Sequence, residues 1–564
     1  MRPQARRTLG GLALLLVTAC ATGPLQVDPA ARAPELAGFG SVDVPISTAS
    51  PAAQLWFVQG VLQAYAFNEH EAVRMFKAAL AQDPRCAMCA WGVAWQLGPN
   101  INDTSRGRVP EALRYLDLAL AHAAAATPRE RALIDALALR YAHASQARAT
   151  APLLADRCGG PGDDERADPL DTAYADRLHE MALAAPDDPE VISLWAEAEM
   201  VATRDDWWPA GGAAAGRIGE VATALEQALA RHPGHIGLNH YLIHATDADG
   251  VARRAVAAAD RLGTLAPASP HLVHMPSHTY IHVGRYADAT RVNQAAVAAD
   301  LALAEQQKAQ GFSVTKDWRN HDQHFLWFAA LMEGRGDEAL LAARGVAERA
   351  AAAEHVYGEY RRSLPMLAQL RLQRWDALLA EPKPAGRHGL AQTLGEHARG
   401  VAYARTGRLR EARAALALAD AGAAKVIQAN PSSDGFARTL RDMATAATDR
   451  LRAEIASAEG RHDVALAHQA QAVIASRHAD ESEPPMLAAG DRLALGDLQL
   501  RAGRAAQAEQ TFREDLAALP GSGWALDGLT RALQAQGKTA EAQALQPRLA
   551  QAWVLADASL RGRR

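Results

Sequence analysis

Small and large apolar residues recur along the chain with a period of 34 residues. The first repeat, from Leu55 onward, places them at offsets 4, 8, 20, 24, 27 and 32: Trp56, Gly60, Ala72, Phe76, Ala79 and Pro84. A repeat near the C-terminus has the same spacing and contains Leu495, Gly496, Gly503, Ala508, Phe512 and Pro520. Small residues at offsets 8 and 20 allow two antiparallel helices to approach closely, and large residues at offsets 4 and 24 fill the remaining space. The pattern predicts helix pairs that bury their apolar faces by stacking on one another.

Short turns that begin with glycine separate the predicted helices, as in GRYADA (284–289), GRGDEA (334–339) and GRLREA (407–412). The repeat resembles the tetratricopeptide repeat (TPR). The resemblance implies an all-α fold, a right-handed α-solenoid of TPR-like helix pairs with a concave inner surface. We expect an N-terminal helical region over 51–235 with irregular loops near 155–169 and 204–216, histidine-rich units over 236–353, and further units over 354–564.

The first 19 residues are typical of an export signal. Arg2, Arg6 and Arg7 precede the apolar run LGGLALLLVTA, which is too short to span a membrane as a helix. The run ends in VTAC and resembles a bacterial lipobox, which implies lipidation of Cys20; ordinary signal cleavage is the alternative. Residues 20–50 lack periodicity and are predicted to form a flexible tether. Ala21 follows Cys20, and by resemblance to other lipoproteins this favours the periplasmic face of the outer membrane, in the cell envelope.

Histidines cluster in the middle of the chain, where ten of the 20 lie between His232 and His324. Those of three successive first helices occupy offsets 2, 5, 9 and 13, which face the concave groove in TPR proteins: His240, His244, His271, His274, His278, His282, His321 and His324. Histidines four residues apart on a helix share a face. Pro276 weakens this geometry between His274 and His278, because it removes a backbone hydrogen bond and can kink the helix.

Neutral imidazole is the commonest metal ligand in proteins, and helices about 8–10 Å apart allow side chains of two units to converge. The cluster therefore favours a transition-metal site for copper, zinc or iron, to which Asp247 adds a carboxylate. The predicted ligands are His240, His244, His271, His274, His278, His321 and His324. The alternative is structural, since histidines of a concave face can also hydrogen-bond their neighbours or line a groove that binds a peptide.

Several sequence blocks resemble a widespread family of exported bacterial TPR proteins without a well-defined reaction. They are LNHYLIHATD, HLVHMPSHTYIHVGRYADA, NHDQHFLWFAA, CAMCAWGVAWQLGPNIN (86–102) and ERALIDAL (130–137). The resemblance covers about residues 50–350 and implies that the seven predicted ligand histidines belong to the family's pattern. His282 departs from that pattern, in which arginine is more usual, and Asp247 stands where glutamate is expected.

Cys86 and Cys89 form a C-x-x-C arrangement, which is compatible with a redox pair, half of a metal site, a local disulfide or two buried thiols. No histidine follows Cys89, so covalent haem attachment is not indicated. No second C-x-x-C is present to complete a four-cysteine zinc site. Cys158 is left as an odd thiol.

Trp207 and Trp208 lie beside Pro209 in a predicted loop. They are candidates for stacking on a ligand in the groove, and the alternative is that they cover an apolar edge of the solenoid. We therefore predict one of two roles for this pair, a ligand contact or a plug.

The formal net charge of −5 gives no support for a nucleic-acid surface, and no phosphate-binding glycine loop, H-E-x-x-H or G-x-S-x-G motif is present. Two functional classes therefore remain. The first class is a lipid-anchored periplasmic binding or scaffold protein, held to the membrane by its N-terminal lipid, whose histidine-lined groove takes a protein or peptide and a transition metal. The alternative is a periplasmic metal carrier or metal-dependent enzyme.

Overall fold

The structure is a computed structural model that describes residues 25–141, 168–203, 207–209, 212–432 and 435–561. Over these residues the regular elements are all helical, which confirms the predicted all-α class. The helices of the N-terminal and histidine-rich regions are α1 (Pro51–Tyr65), α2 (Glu69–Gln82), α3 (Ala87–Gln96), α4 (Val109–His122), α5 (Pro128–Arg140), α6 (Pro169–Ala184), α7 (Pro189–Thr203), α8 (Ile218–Arg231), α9 (Ile236–Ala245), α10 (Val256–Leu265), α11 (Pro270–His274), α12 (Pro276–His282), α13 (Tyr286–Ala309), α14 (Arg319–Met332) and α15 (Gly336–Arg349).

The C-terminal region continues the same alternation of packed helices. Its helices are α16 (Val356–Arg371), α17 (Trp375–Ala380), α18 (Leu390–Arg405), α19 (Leu409–Ala429), α20 (Gly435–Ala458), α21 (His462–Ala475), α22 (Arg477–Asp480), α23 (Asp491–Arg501), α24 (Ala505–Ala518), α25 (Gly523–Ala535), α26 (Thr539–Ala552) and α27 (Ala558–Arg561). Short 3₁₀ helices cover Ala123–Ala125 and Ala252–Ala255. Consecutive helices pack against each other throughout, which makes the molecule an α-solenoid of TPR-like helix pairs.

The small and large residues of the repeat pack against each other as predicted, with an aromatic ring filling the space beside two glycines. A Cβ atom at Gly60 or Gly92 would lie within 2.6 Å of the Phe76 ring, so that ring fills the space that these two glycines leave open. Phe512 takes the same place between Gly496 and Gly528, about 430 residues later in the chain. The helices can approach this closely only because neither glycine of each pair has a side chain.

The predicted glycine turns join helices at the expected places. Gly284, Gly334 and Gly407 lie between α12 and α13, α14 and α15, and α18 and α19, with φ of 77°, 72° and 77°. These left-handed values favour glycine because a Cβ atom would strain the backbone.

The segment before α1 departs from the expected flexible tether. Residues 25–50 contain no helix, yet Leu36, Phe39 and Val44 are buried against the helical body because their apolar side chains leave water there. The amide of Ala268 donates to the carbonyl of Gly38 at 3.0 Å, and the Ser47 amide donates to Oε1 of Glu130 at 2.7 Å. The part of the predicted signal and tether over residues 1–24, including Cys20, lies outside the described residues, as does Cys158.

The last helices fold back onto the middle of the chain. The indole N–H of Trp524 donates to the carbonyl of Leu331 at 2.7 Å, and the amide of Asp557 donates to the carbonyl of Gly334 at 2.9 Å. A Cβ atom at Gly284 would overlap the carbonyl of Pro520, so the glycine permits this close approach. The solenoid therefore curls until distant repeats touch. Within the described part of the chain, no helix has the length and apolar character needed to cross a membrane.

Candidate metal centre

The histidines of α9, α11, α12 and α14 form one continuous band of ring contacts inside the solenoid. His240, His244, His271, His274, His278 and His321 are each at most 4% exposed. This burial departs from the expected open groove, because the tight curl brings other segments onto the concave face. The band divides into two triads, defined here as triad 1 (His240, His244 and His271) and triad 2 (His274, His278 and His321), whose ligand nitrogens lie within 4.8 Å of one another.

In triad 1, three imidazole nitrogens converge. Nε2 of His240 lies 3.1 Å from Nε2 of His244 and 3.1 Å from Nε2 of His271. Nitrogens bound to one tetrahedral ion at about 2.0–2.1 Å lie about 3.3–3.4 Å apart, so these side chains fit an ion with little movement. His240 and His244 come from successive turns of α9, and His271 comes from the next unit.

In triad 2, Nε2 of His274 lies 3.0 Å from Nε2 of His278, although the two residues belong to different helices. The helix is interrupted at Met275, between the end of α11 and the start of α12 at Pro276. This is the interruption expected from the proline. The kink does not separate the rings. His321 of α14 completes the triad, with its ring centroid 4.5 Å from that of His274. Nε2 of His321 is buried and has no hydrogen-bond partner among the described residues.

Each triad packs around one phenylalanine. Phe67, in the turn between α1 and α2, has its ring centroid 4.5, 5.4 and 5.0 Å from those of His240, His244 and His271. Phe325 of α14 lies 4.6, 4.5 and 4.9 Å from His274, His278 and His321. Phe67 has a left-handed φ of 50°, a conformation that side chains other than glycine adopt at a cost. The fold thus accepts local backbone strain where it fixes triad 1.

Hydrogen bonds on the far side of the rings fix which nitrogen carries the proton. Nδ1 of His274 lies 2.7 Å from Oδ1 of Asn293, whose Nδ2 donates to the Ala289 carbonyl; the imidazole is therefore the donor. Nδ1 of His278 donates to Oδ2 of Asp247 at 2.7 Å. In their neutral forms both rings then turn an unprotonated Nε2 toward each other. Two lone pairs 3.0 Å apart repel, and a bound cation removes that repulsion.

The same arrangement holds for His240 in triad 1. Its Nδ1 donates to the backbone carbonyl of Tyr65 at 2.8 Å, so a neutral ring presents Nε2 to the centre of the triad. Ligand histidines in metalloproteins commonly have their second nitrogen held by a carbonyl, amide or carboxylate oxygen in this way. Three of the six triad rings therefore have a hydrogen-bonding partner suited to a ligand.

Asp247 and Glu483 add carboxylates beside triad 2. Oε2 of Glu483 lies 3.1 Å from Nδ1 of His278, and Asp247, His278 and Glu483 form a third group whose ligand atoms lie close together. Nε2 of His282 also lies 3.1 Å from Oδ1 of Asp247, an ion-pair distance, and Asp249 pairs with Nδ1 of the same ring. His282 is thus a partner of the acidic residues, outside both triads.

Burial has opposite effects on the acids and bases of the band. Removal from water, with neighbouring imidazoles adding to it, holds the pKa of His240, His271, His274 and His321 well below the usual value, and it lowers the pKa of His244 to about 3. Partial burial, and then the Asp247 carboxylate, raise the pKa of Glu483 to about 7. Burial therefore keeps five triad imidazoles neutral, the state that binds metal ions: His240, His244, His271, His274 and His321.

Five residues predicted from the sequence lie elsewhere or have other partners. His324 is buried, but its Nε2 pairs with the Tyr360 hydroxyl at 2.6 Å and it joins neither triad. The indole N–H groups of Trp207 and Trp208 donate to the carbonyls of Met200 and Ala245, and both rings pack on the core, which favours the plug over a ligand contact. Cys86 and Cys89 form a disulfide, one of the alternatives predicted for this pair.

Sequence analysis missed the residues that reach the band from outside the repeat frame. Asn293 and Glu483 hydrogen-bond or pair with ligand rings, and Trp318 stacks on His271 at 4.4 Å. Asp322 is fully buried beside His274, and neither of its carboxylate oxygens has a hydrogen-bond partner among the described residues. Burial raises the pKa of Asp322 well above its usual value. Its position next to His321 in NHDQHF was the one available sequence signal.

Known proteins resemble this chain only distantly. The sequence matches no protein-family profile and no curated protein. Among solved structures it is similar to a human IFIT1 dimer with m7Gppp-AAAA (11% identity, 90% of this chain and 91% of that chain, TM-score 0.30), to yeast Tom70 (11%, 88% and 91%, 0.26) and to the TPR domain of P58(IPK) (11%, 80% and 99%, 0.21). At these values no ligand or partner can be transferred.

Proposed function

We propose that this protein binds two transition-metal ions, one in each histidine triad. The observation that carries the proposal is the pair His274 and His278, whose Nδ1 atoms are both committed to oxygen acceptors while their Nε2 atoms face each other at 3.0 Å. Imidazole nitrogen without thiolate suits zinc, copper or iron. We therefore propose that the protein is a metal-binding α-solenoid. The resemblance of its histidine blocks to those of exported TPR proteins supports this proposal.

Single and double substitutions test the two sites separately. We expect the purified, untagged protein to take up two zinc or copper ions per chain, His244→Ala or His278→Ala to take up one, and the double variant none. Isothermal titration and elemental analysis measure the stoichiometry. His122→Ala/His462→Ala, which removes two histidines far from the triads, is the matched control and keeps both ions. Wild-type protein that binds no stoichiometric ion, or a double variant that still binds two, contradicts the proposal.

A second variant distinguishes ligand loss from damage to the fold. Asp247→Asn keeps the shape of the side chain but removes the charge that orients His278. Loss of such an orienting partner weakens metal affinity by about 10–100-fold, so we expect triad 2 to weaken while triad 1 keeps its affinity. Circular dichroism of the metal-free variant should match the wild type. Equal weakening of both sites would indicate a general structural change.

A metal-dependent enzyme is the second candidate function, because each triad supplies three protein ligands. Catalytic zinc sites commonly have three protein ligands and one open position, whereas structural sites have four. A cavity lined by Asp300, Gln307, Lys316 and Trp318 lies beside triad 1, where Trp318 stacks on His271. Azide added to the copper-loaded protein tests for the open position: a new charge-transfer absorption band supports it, and an unchanged spectrum argues for closed sites.

We infer further that Cys20 carries a lipid that holds the protein at the periplasmic face of the outer membrane. The lipobox-like VTAC and the preceding basic and apolar residues support this. Cys20→Ala should move the protein from the membrane fraction to the soluble fraction, and persistence in the membrane would overturn the inference. Protein or peptide binding, which repeat solenoids often perform, would have to use surfaces other than the buried histidine band.

A further inference from the structure

A second polar cavity lies in the C-terminal half, separate from the histidine band. It is formed where α16, α18 and α20 meet the loop 481–490, and it is partly open to solvent. The residues that line it are Leu367, Leu370, Arg371, His397, Ala447, Arg450, Leu487, Gly490 and Asp491. Two guanidinium groups and one imidazole thus border a single small space.

The two arginines lack the hydrogen bonds that buried guanidinium groups normally make. Nε of Arg371 and Nε of Arg450 are buried and have no hydrogen-bond partner among the described residues. Arg371 stacks over the Trp524 ring at 4.9 Å, and its polar contact is the Met332 sulfur at 4.0 Å. Nη1 of Arg450 lies 3.6 Å from Oδ1 of Asp491, too far for a hydrogen bond. Buried N–H groups without acceptors lower the stability of the folded state, and a ligand oxygen would supply the missing acceptor.

His397 provides an independent indication of a ligand. Its side chain is 3% exposed, and its Nδ1 is buried without a partner among the described residues. Because His397 lines the same cavity as the two arginines, three nitrogen atoms lack partners around one space. Burial lowers the pKa of His397 to about 3, and its other ring nitrogen donates to the backbone of Ala447, so the neutral ring presents Nδ1 as an acceptor for a protonated ligand oxygen such as the hydroxyl of hydrogen phosphate.

The start of α23 adds backbone donors at the edge of the cavity. The helix begins at Asp491 after Gly490, and no side chain caps its N-terminal amides. Ala488 and Ala489 precede it with left-handed φ of 55° and 48°, a strain that shapes the loop against the cavity. A Cβ atom at Gly490 would lie 3.1 Å from Nη1 of Arg450 and 3.9 Å from Nη1 of Arg371. The absence of that atom leaves room between the two guanidinium groups.

The acidic residues nearby do not satisfy the arginines. Asp491 accepts from Nε2 of Gln469 at 3.3 Å, and Asp480 accepts from the Ser476 hydroxyl at 2.9 Å. Burial raises the pKa of Asp480 to about 7, so its carboxyl is partly protonated near neutral pH and opposes an anion less than a fully charged group. Asp491 also lines the cavity and forms an ion pair with Arg450, so the two guanidinium groups leave a net positive charge there.

We propose that this cavity binds a small oxyanion, either a phosphate or a carboxylate, held between the guanidinium groups of Arg371 and Arg450. Nδ1 of His397 accepts from a protonated oxygen of the anion, and the N-terminus of α23 faces the anion across Gly490. Paired guanidinium groups and helix N-termini are the groups that proteins use for phosphate and carboxylate recognition. The site does not depend on the metal centre, with which it shares only the loop 481–490.

The test measures the thermal stability of the protein and its titration with inorganic phosphate or acetate, against chloride at equal ionic strength. We expect one of the two oxyanions to raise the unfolding temperature beyond the chloride effect and to bind with one-to-one stoichiometry. The better of the two identifies the ligand as phosphate or carboxylate. No stabilisation beyond chloride by either anion would overturn the proposal.

Two variants locate the site. Arg450→Gln should weaken the anion by about tenfold or more, since hydrogen bonds to charged groups are strong. Gly490→Ala keeps every charge but fills the space between the guanidinium groups, and it should abolish binding even if Arg450→Gln does not fold. Arg492→Gln, a partly exposed arginine outside the lining, is the control and should bind as the wild type does. Unchanged binding in Gly490→Ala would overturn the proposal, and metal stoichiometry should be unchanged in all three variants.

Discussion

The helices that carry the triads have the same architecture as α25 and α26, but they bury a different kind of side chain. In α25 and α26 the buried side chains are almost all apolar or small, and the ion pairs lie outside, such as Arg531 with Asp497 and Lys538 with Glu509. In α9, α11, α12 and α14 the equivalent inner positions bury imidazoles. Burial of polar groups is unfavourable unless they are fully paired. The histidine band therefore weakens the fold that contains it, which is expected of a site kept for its chemistry.

The largest expected difference between the two regions is their response to acid. In the metal-free protein, six buried histidines have pKa values below that of an unfolded chain, and those of His244 and His324 are about 3. Above about pH 6.5 these histidines are neutral in both the folded and the unfolded chain, so they do not lower the unfolding free energy there. Below this pH the unfolded chain binds protons that the folded chain refuses, and each histidine then removes about 1.4 kcal/mol per pH unit until its folded pKa is reached.

Buried carboxyls with a raised pKa, such as Glu483 and Asp480 at about 7, act in the opposite direction between about pH 4 and 7, because there the folded chain binds the protons; the net loss of stability in that range is therefore smaller than the six histidines alone would give. We expect the metal-free protein to lose stability most steeply below about pH 4, where these carboxyls are protonated in both states and the histidine difference is no longer opposed. Urea titration at a series of pH values measures this, and zinc should shift the loss of stability to lower pH by stabilising the folded state. An unfolding free energy that stays constant from about pH 5 to pH 3 would mean that the band is not buried as described.

A matched pair of phenylalanines gives the next largest effect. Phe512→Ala removes the ring that fills the space between Gly496 and Gly528, and it should lower the unfolding free energy by about 3–5 kcal/mol without changing metal stoichiometry. Phe67→Ala, which removes the ring shared by the histidines of triad 1, should cost a similar amount and also weaken that site. Chemical denaturation and metal titration are compared for both. If Phe512→Ala lost metal and Phe67→Ala did not, the assignment of Phe67 to triad 1 would be wrong.

The disulfide gives the smallest of these effects. Cys86→Ala/Cys89→Ala opens a loop of only a few residues, for which chain entropy predicts a loss of about 2 kcal/mol. Neither cysteine belongs to a candidate metal group, so metal binding should be unchanged. A double variant with wild-type stability and reduced metal content would place this pair in the site after all.

The fold could be predicted because its rules are local. The spacing of Gly60 and Phe76 specifies how two helices pack, and Gly284 or Gly407 specifies where one helix ends and the next begins. The histidine faces followed from the same frame, including the interruption at Pro276. Each of these depends on residues within one or two repeats.

The burial and the supporting residues of the site depend on the curvature of the whole solenoid, which the repeat spacing does not determine. Phe67 and Trp318 come from connections between helices, and Glu483 comes from a loop about 200 residues after His278. Their places follow from contacts between distant segments. His324 shows the limit most clearly, because its offset matched a ligand position while its nitrogen is paired with Tyr360.

The fold-back of the C-terminal helices has a kinetic consequence for metal loading. Contacts such as the one from Asp557 to Gly336 join residues 221 positions apart, and pairings of this kind form late and slowly. A chain that folds from its N-terminus presents His274 and His278 before the loop of Glu483 and the last helices have docked. We expect ions to enter the band most readily in this interval, and to exchange after closure only as fast as the C-terminal helices detach.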